Sequence, residues 1–124
     1  MGLVLWFTAR GAFVWAVSTG VLRLLPQTWT HRPEWTFAIS AAVSGVGLAV
    51  ATLFFLKKIA LEARLAALIA FVAVQMVLDA VVVLFFDRVL PNFRPDHAHL
   101  FGAFVLWCYA VMLATGAVAM RPRP

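Results

Sequence analysis

Four apolar runs, at 3–25, 35–56, 65–86 and 98–120, constrain this chain more than anything else in it. Each can cross a membrane as a helix, because at about 1.5 Å rise per residue twenty-odd residues cover the roughly 30 Å hydrocarbon layer. The runs are continuous rather than alternating, and lipid offers no water to open backbone groups, so helices are expected and a β-barrel is not. About 65% of the residues are hydrophobic and only 12% charged, far from the balance of soluble domains. The expected fold is all-α, an integral membrane four-helix bundle forming a single domain over residues 1–124.

The first run is expected to be retained. No basic stretch precedes its apolar part, Arg10 interrupts it, and no small-residue cleavage site follows. Trp6 stands where a myristoylation signal needs Ser or Thr. Cys108, the single cysteine, lies inside the fourth run with no partner for a disulfide or a zinc cluster.

Lys and Arg in the short loops set the expected orientation. Lys57, Lys58 and Arg64 share a side with Arg121 and Arg123, while Arg23, Arg32, Arg88 and Arg94 lie opposite with Glu34, Asp87 and Asp96 among them. The narrow balance favours both termini in the cytoplasm. The formal charge of +5 is read as loop arginines meeting membrane lipid. No continuous basic face exists for nucleic acid.

The connections after the first and third runs resemble each other. Arg23, Leu25, Pro26 and Gln27 match Arg88, Leu90, Pro91 and Asn92, and Arg32, Pro33 and Glu34 match Arg94, Pro95 and Asp96. A duplication would make the bundle two helical hairpins related by an axis along the membrane normal. Helix-end chemistry alone can produce the same letters: Pro91 would stop a span, Pro33 would suit a first turn, and Asp96 would serve as an N-cap.

The second run carries a stripe of small residues, Ala41, Gly45 and Ala49, which lets another helix approach closely. It can pack inside the bundle or against a second copy. The few interior positions of a four-span chain favour a homodimer.

Asp79 is the acidic residue deepest in an apolar run. It lies about 22 Å along the third helix from Arg64 and about 13 Å from Arg88. A charge there costs at least about 2.5 kcal/mol, so the group should be neutral, paired or wet. Gln75 lies one turn away on the same face. Arg23 is the first candidate partner, since its long side chain can reach inward along a polar stripe that includes Thr19 and, one turn deeper, Trp15. Arg10 is expected to snorkel toward headgroups or to reach Gln75 and Tyr109, and Tyr109 needs a partner among Asp79, Gln75 and Arg10. These six residues, Asp79, Arg23, Gln75, Tyr109, Thr19 and Arg10, form the candidate site for a small cation or a proton. A buried ion pair or hydrogen bond that fixes helix register competes with that reading.

His31, His97 and His99 could gather with Asp96 at one end, but neither HxxxH nor a Cys/His cluster is present, so no metal is expected. Trp6, Trp29, Trp35 and Phe93 suit headgroup belts. No Ser/His/Asp constellation, glycine-rich phosphate loop, HExxH or paired carboxylates appear, so neither an enzyme nor a cofactor is expected.

The stretches GAFVWAVSTGVLRLLPQTW (11–29), LDAVVVLFFDRVLPNF (78–93) and FGAFVLWCYAVMLATG (101–116) resemble a family of small four-span bacterial membrane proteins catalogued as a domain of unknown function. Trp15, Thr19, Arg23, Asp79, Pro91, Asn92, Trp107, Tyr109 and Gly116 carry that resemblance. It implies the four-span topology in a bacterial inner membrane and adds nothing about activity or substrate. The chain departs from four-span multidrug transporters, which carry a glutamate in the first span where Arg10 stands here, and it lacks the signature of small fluoride channels.

Two functions remain expected. One is a transporter or ligand-binding membrane protein with a polar site around Asp79, marked by a water-accessible cavity. The other is an accessory bundle that packs against itself or a larger membrane partner, marked by a dry interior, a fully paired Asp79 and an exposed Ala41/Gly45/Ala49 stripe.

Overall fold

A computed structural model describes residues 2–24 and 33–121, with side chains from Trp35 onward in the second stretch. Its elements are α1 (Gly2–Leu24), α2 (Pro33–Lys57), α3 (Leu61–Leu84), a short α4 (Phe86–Val89), a 3-10 turn (Pro95–His97) and α5 (Ala98–Ala119). Four helices, α1, α2, α3 and α5, are long and apolar enough to cross a membrane. Their outward surface stays apolar, with Phe13 and Val46 each 69% exposed, as a lipid-facing surface must be.

Contacts fix how the helices run. Phe7 packs with Ala67 and Ala70, Gly11 faces Phe71 and Val74, Trp15 reaches Asp79 and the Leu22 carbonyl meets Asn92, so α1 lies parallel to α3. The Phe37 and Phe104 rings meet at 6.4 Å and Gly45 faces Trp107, so α2 lies parallel to α5. Val83 against Gly102, Asp79 against Tyr109 and Leu68 against Gly116 make α3 and α5 antiparallel. Both ends of the described chain therefore lie at one end of the bundle.

Helix α3 is the centre. Its buried residues Leu68, Val72, Gln75, Asp79 and Val82 recur at alternating steps of four and three, one continuous seam toward its neighbours. The helices thus follow the order α1, α3, α5, α2 around three sides of a square. Among the described residues, α1 and α2 meet where the Phe7 and Phe55 rings stand 5.2 Å apart, and otherwise the fourth side is a cleft.

This departs from two repeated hairpins. α3 packs on α5, but α1 packs on α3 rather than on α2. Leu25, Pro26, Gln27, Trp29, His31 and Arg32, which carry much of the sequence match and part of the expected belt and histidine cluster, lie outside the described residues. The small-residue stripe faces inward. The Trp107 Nε1–H donates to the Ala41 carbonyl at 2.9 Å, and a Cβ at Gly45 would stand 3.2 Å from Trp107 Nε1. Gly45 is buried and Ala41 and Ala49 are half-buried, so the stripe seats α5 of the same chain and gives no ground for a homodimer.

Two loop ends are fastened by side chains. The Arg64 guanidinium donates to the Ile59 carbonyl at 3.0 Å and to the Ala119 carbonyl at 3.3 Å, capping the last turn of α5. At the far end the Asn92 amide donates to the Leu22 carbonyl at 2.8 Å, satisfying one of the open acceptors of α1. The polypeptide leaves α3 at Phe85 and turns once more as α4 before Leu90, whose φ of −121° and ψ of 66° lie outside the α region that the following Pro91 disfavours. Phe86, Leu90, Phe93 and Phe101 then close that end as a buried cluster. Phe93 therefore belongs to the core and not to a headgroup belt. Asp96 does not cap α5; it is exposed and paired with Arg94 at 2.9 Å.

Candidate functional site around Asp79

Asp79 sits on the α3 seam where α1 and α5 both approach. Its side chain is 7% exposed. The Trp15 indole N–H donates to Oδ1 at 2.8 Å, and the Tyr109 hydroxyl donates to Oδ2. Helix direction explains the convergence: the parallel α1 brings Trp15 level with Asp79 from one side, and the antiparallel α5 brings Tyr109 from the other. Two neutral donors orient the carboxyl group, and among the described residues no ion pair reaches it.

This corrects the Arg23 pairing. Arg23 is exposed at the last turn of α1, two turns beyond Trp15, and both Asp79 oxygens are engaged elsewhere. Sequence reasoning placed Trp15 on the right stripe but overlooked its N–H as the partner. The available signal was that a partly buried indole needs an acceptor, and Asp79 is an acceptor of suitable depth.

The remaining candidates divide. Gln75 is buried one turn from Asp79 and donates its amide to the Phe71 carbonyl at 3.0 Å. Thr19 is half-buried on the cleft wall. Arg10 also borders the cleft, but its guanidinium is exposed and lies 4.8 Å from the Trp6 ring centroid, a cation–π contact rather than a bond to Tyr109. Thr52, Ser44 and Ser18 line the cleft too, and sequence reasoning did not single them out for it.

The cleft between α1 and α2 has a volume of about 730 Å³ and a predominantly apolar lining, with Asp79, Gln75, Tyr109 and Cys108 on its floor. That size falls in the range of small-molecule sites, roughly 300–1,000 Å³. A carboxylate held only by neutral donors keeps an uncompensated charge when ionised. A proton or a cation arriving through the cleft would neutralise it. Among the described residues, no group of three His, Cys, Asp or Glu side chains is arranged to hold a metal ion.

A model described as a family of unknown function, DUF5367, matches residues 31–122. The chain belongs to that family. The DUF5367 match takes in α2, α3 and α5, and with them Gln75, Asp79 and Tyr109, while α1 with Trp15, Thr19 and Arg23 precedes it. No curated protein and no solved structure matches the chain.

Proposed function

We propose that this DUF5367 chain is a non-enzymatic, small-ligand-binding membrane protein, with transport as the activity such a site would serve. Its ligand occupies the cleft between α1 and α2, and Asp79 is the polar anchor. The observation that carries the reading is the position of Asp79, held by Trp15 and Tyr109 without a cationic side chain at the floor of a ligand-sized cavity. A register-fixing hydrogen bond accounts for the Trp15 and Tyr109 contacts but not for the cavity that Asp79 borders. The accessory-bundle reading shares the fully engaged Asp79 but also needs an exposed small-residue stripe, whereas Gly45 packs against Trp107. The loop arginines favour cytoplasmic termini in a bacterial inner membrane.

The test is thermal unfolding of the purified protein in detergent with three triphenyl- or tetraphenyl-substituted probes: tetraphenylphosphonium, tetraphenylborate and neutral triphenylmethanol. Binding to the native state raises the melting temperature in a saturable way. The reading expects a rise with at least one probe, lost in Ala51→Phe, which fills the cleft wall. No saturable rise with any probe, or one unaffected by Ala51→Phe, overturns it.

A further inference from the structure

We infer that the cleft selects amphipathic organic monocations that reach it from within the bilayer, an inference that rests on the ligand-binding reading above and adds the chemistry of the ligand. Four features converge on this class. The first is charge: the acid at the floor of the cleft is engaged by two neutral donors and by no cation among the described residues. Coulombic attraction at this depth is only weakly screened, so a positive ligand gains there what a neutral one does not.

The second feature is the wall. Phe13, Phe55, Phe71, Phe101 and Phe104 line the cleft, and aromatic rings attract cations as well as burying apolar surface. Inorganic cations are poorly served by the same lining. A hard ion needs about six oxygen ligands to replace its hydration shell, and the hydroxyls of Ser18, Thr19, Ser44 and Thr52 are distributed over two helices rather than gathered on Asp79. An organic cation carries its charge diffusely, so it needs fewer oxygens and gains from the apolar contact.

The third feature is access. The cleft lies between α1 and α2, two helices long and apolar enough to cross the membrane, so a mouth between them lies at bilayer depth. A compound that partitions into lipid reaches this mouth already concentrated. The fourth is Arg10, which borders the cleft five residues before Trp15, about 7.5 Å along α1 from the level of Asp79. A second positive charge on the ligand would be repelled by that guanidinium. The cleft therefore prefers one charge over two.

The test is equilibrium binding to protein reconstituted in lipid nanodiscs, with empty nanodiscs subtracted, of tetraphenylphosphonium, tetraphenylborate, triphenylmethanol and a bis-phosphonium bearing similar aryl groups. Wild-type protein should bind tetraphenylphosphonium at about tenfold or more higher affinity than the other three, and Asp79→Asn should erase that preference. Comparable affinity for all four probes overturns the inference while leaving a ligand-binding cleft in place. Binding of none overturns both. Tighter binding of the anion or of the dication also overturns it. The ranking of probes by the wild-type protein decides the matter even where Asp79→Asn fails to fold, and Gly20→Ala, outside the cleft lining with nothing within 4 Å of the added methyl, should leave the ranking unchanged.

Discussion

Trp15 on α1 and Asp79 on α3 lie 64 residues apart in the chain and meet at 2.8 Å, an indole N–H donated to a carboxyl oxygen inside the bundle. That bond is the polar half of the α1–α3 interface. Trp15→Phe keeps the ring and removes the donor, leaving Oδ1 without it. Unfolding in detergent should show a loss of about 1–3 kcal/mol, the usual cost of stranding one partner of a buried hydrogen bond. A change within a few tenths of a kcal/mol would mean that the bond does not hold α1 in place.

The apolar half of the same interface is a close approach at Gly11. A Cβ there would run into the Phe71 carbonyl oxygen and stand 2.7 Å from Val74 Cγ1. A carbonyl in the middle of a helix cannot swing aside as a side-chain tip can. Gly11→Ala should therefore destabilise by about 1–3 kcal/mol, whereas Gly20→Ala, with nothing within 4 Å, should be neutral or slightly stabilising. Comparing the two melting temperatures checks this directly, and equal effects would contradict the packing.

Gly45 provides the corresponding test of the α2–α5 interface. Its Cβ position lies 3.3 Å from Trp107 Cζ2, so Gly45→Val should push the indole away and break its bond to the Ala41 carbonyl. A loss of about 1–3 kcal/mol in the monomer is expected. If the stripe instead joined two copies, the substitution would dissociate an oligomer in light scattering and leave monomer stability unchanged.

Much of the fold was legible because lipid leaves so few options. Four long apolar runs specify four helices, and the expected limits fell within a few residues of Gly2–Leu24, Pro33–Lys57 and Ala98–Ala119. The third differed most at its start, since α3 begins at Leu61 rather than at 65, and it ends at Leu84, where α4 continues past Phe85 with no proline at the break. Helix pairing was not legible. Whether α1 lies on α2 or on α3 depends on contacts such as Gly11 with Phe71, which no local pattern announces.

The site was half legible for the same reason. Asp79, Gln75 and Tyr109 could be singled out because polar groups in apolar runs must find partners. Arg23 was preferred over Trp15 because charge complementarity was weighed above depth, and Arg23 lies two turns beyond Trp15 at the end of α1. The cleft itself could not be read at all, since a cavity is the absence of a packing contact.

Asn92 offers a test of the far end. Its amide reaches the Leu22 carbonyl at 2.8 Å, tying the loop after α4 to the last turn of α1. Asn92→Ala should cost about 1 kcal/mol and speed amide hydrogen exchange in that turn of α1. Exchange that stays unchanged there would mean that the loop and helix are not coupled through this bond.

The most direct test of the central claim is the infrared signature of the Asp79 carboxyl group in lipid, isolated by subtracting the Asp79→Asn spectrum and compared across Trp15→Phe, Tyr109→Phe and Arg23→Gln. The account expects the carboxyl bands to move in Trp15→Phe and in Tyr109→Phe, because each removes a donor, and to stay in place in Arg23→Gln. Bands that move in Arg23→Gln and ignore Trp15→Phe would contradict it, returning Asp79 to an ion pair with Arg23 and removing the uncompensated charge on which cation binding depends.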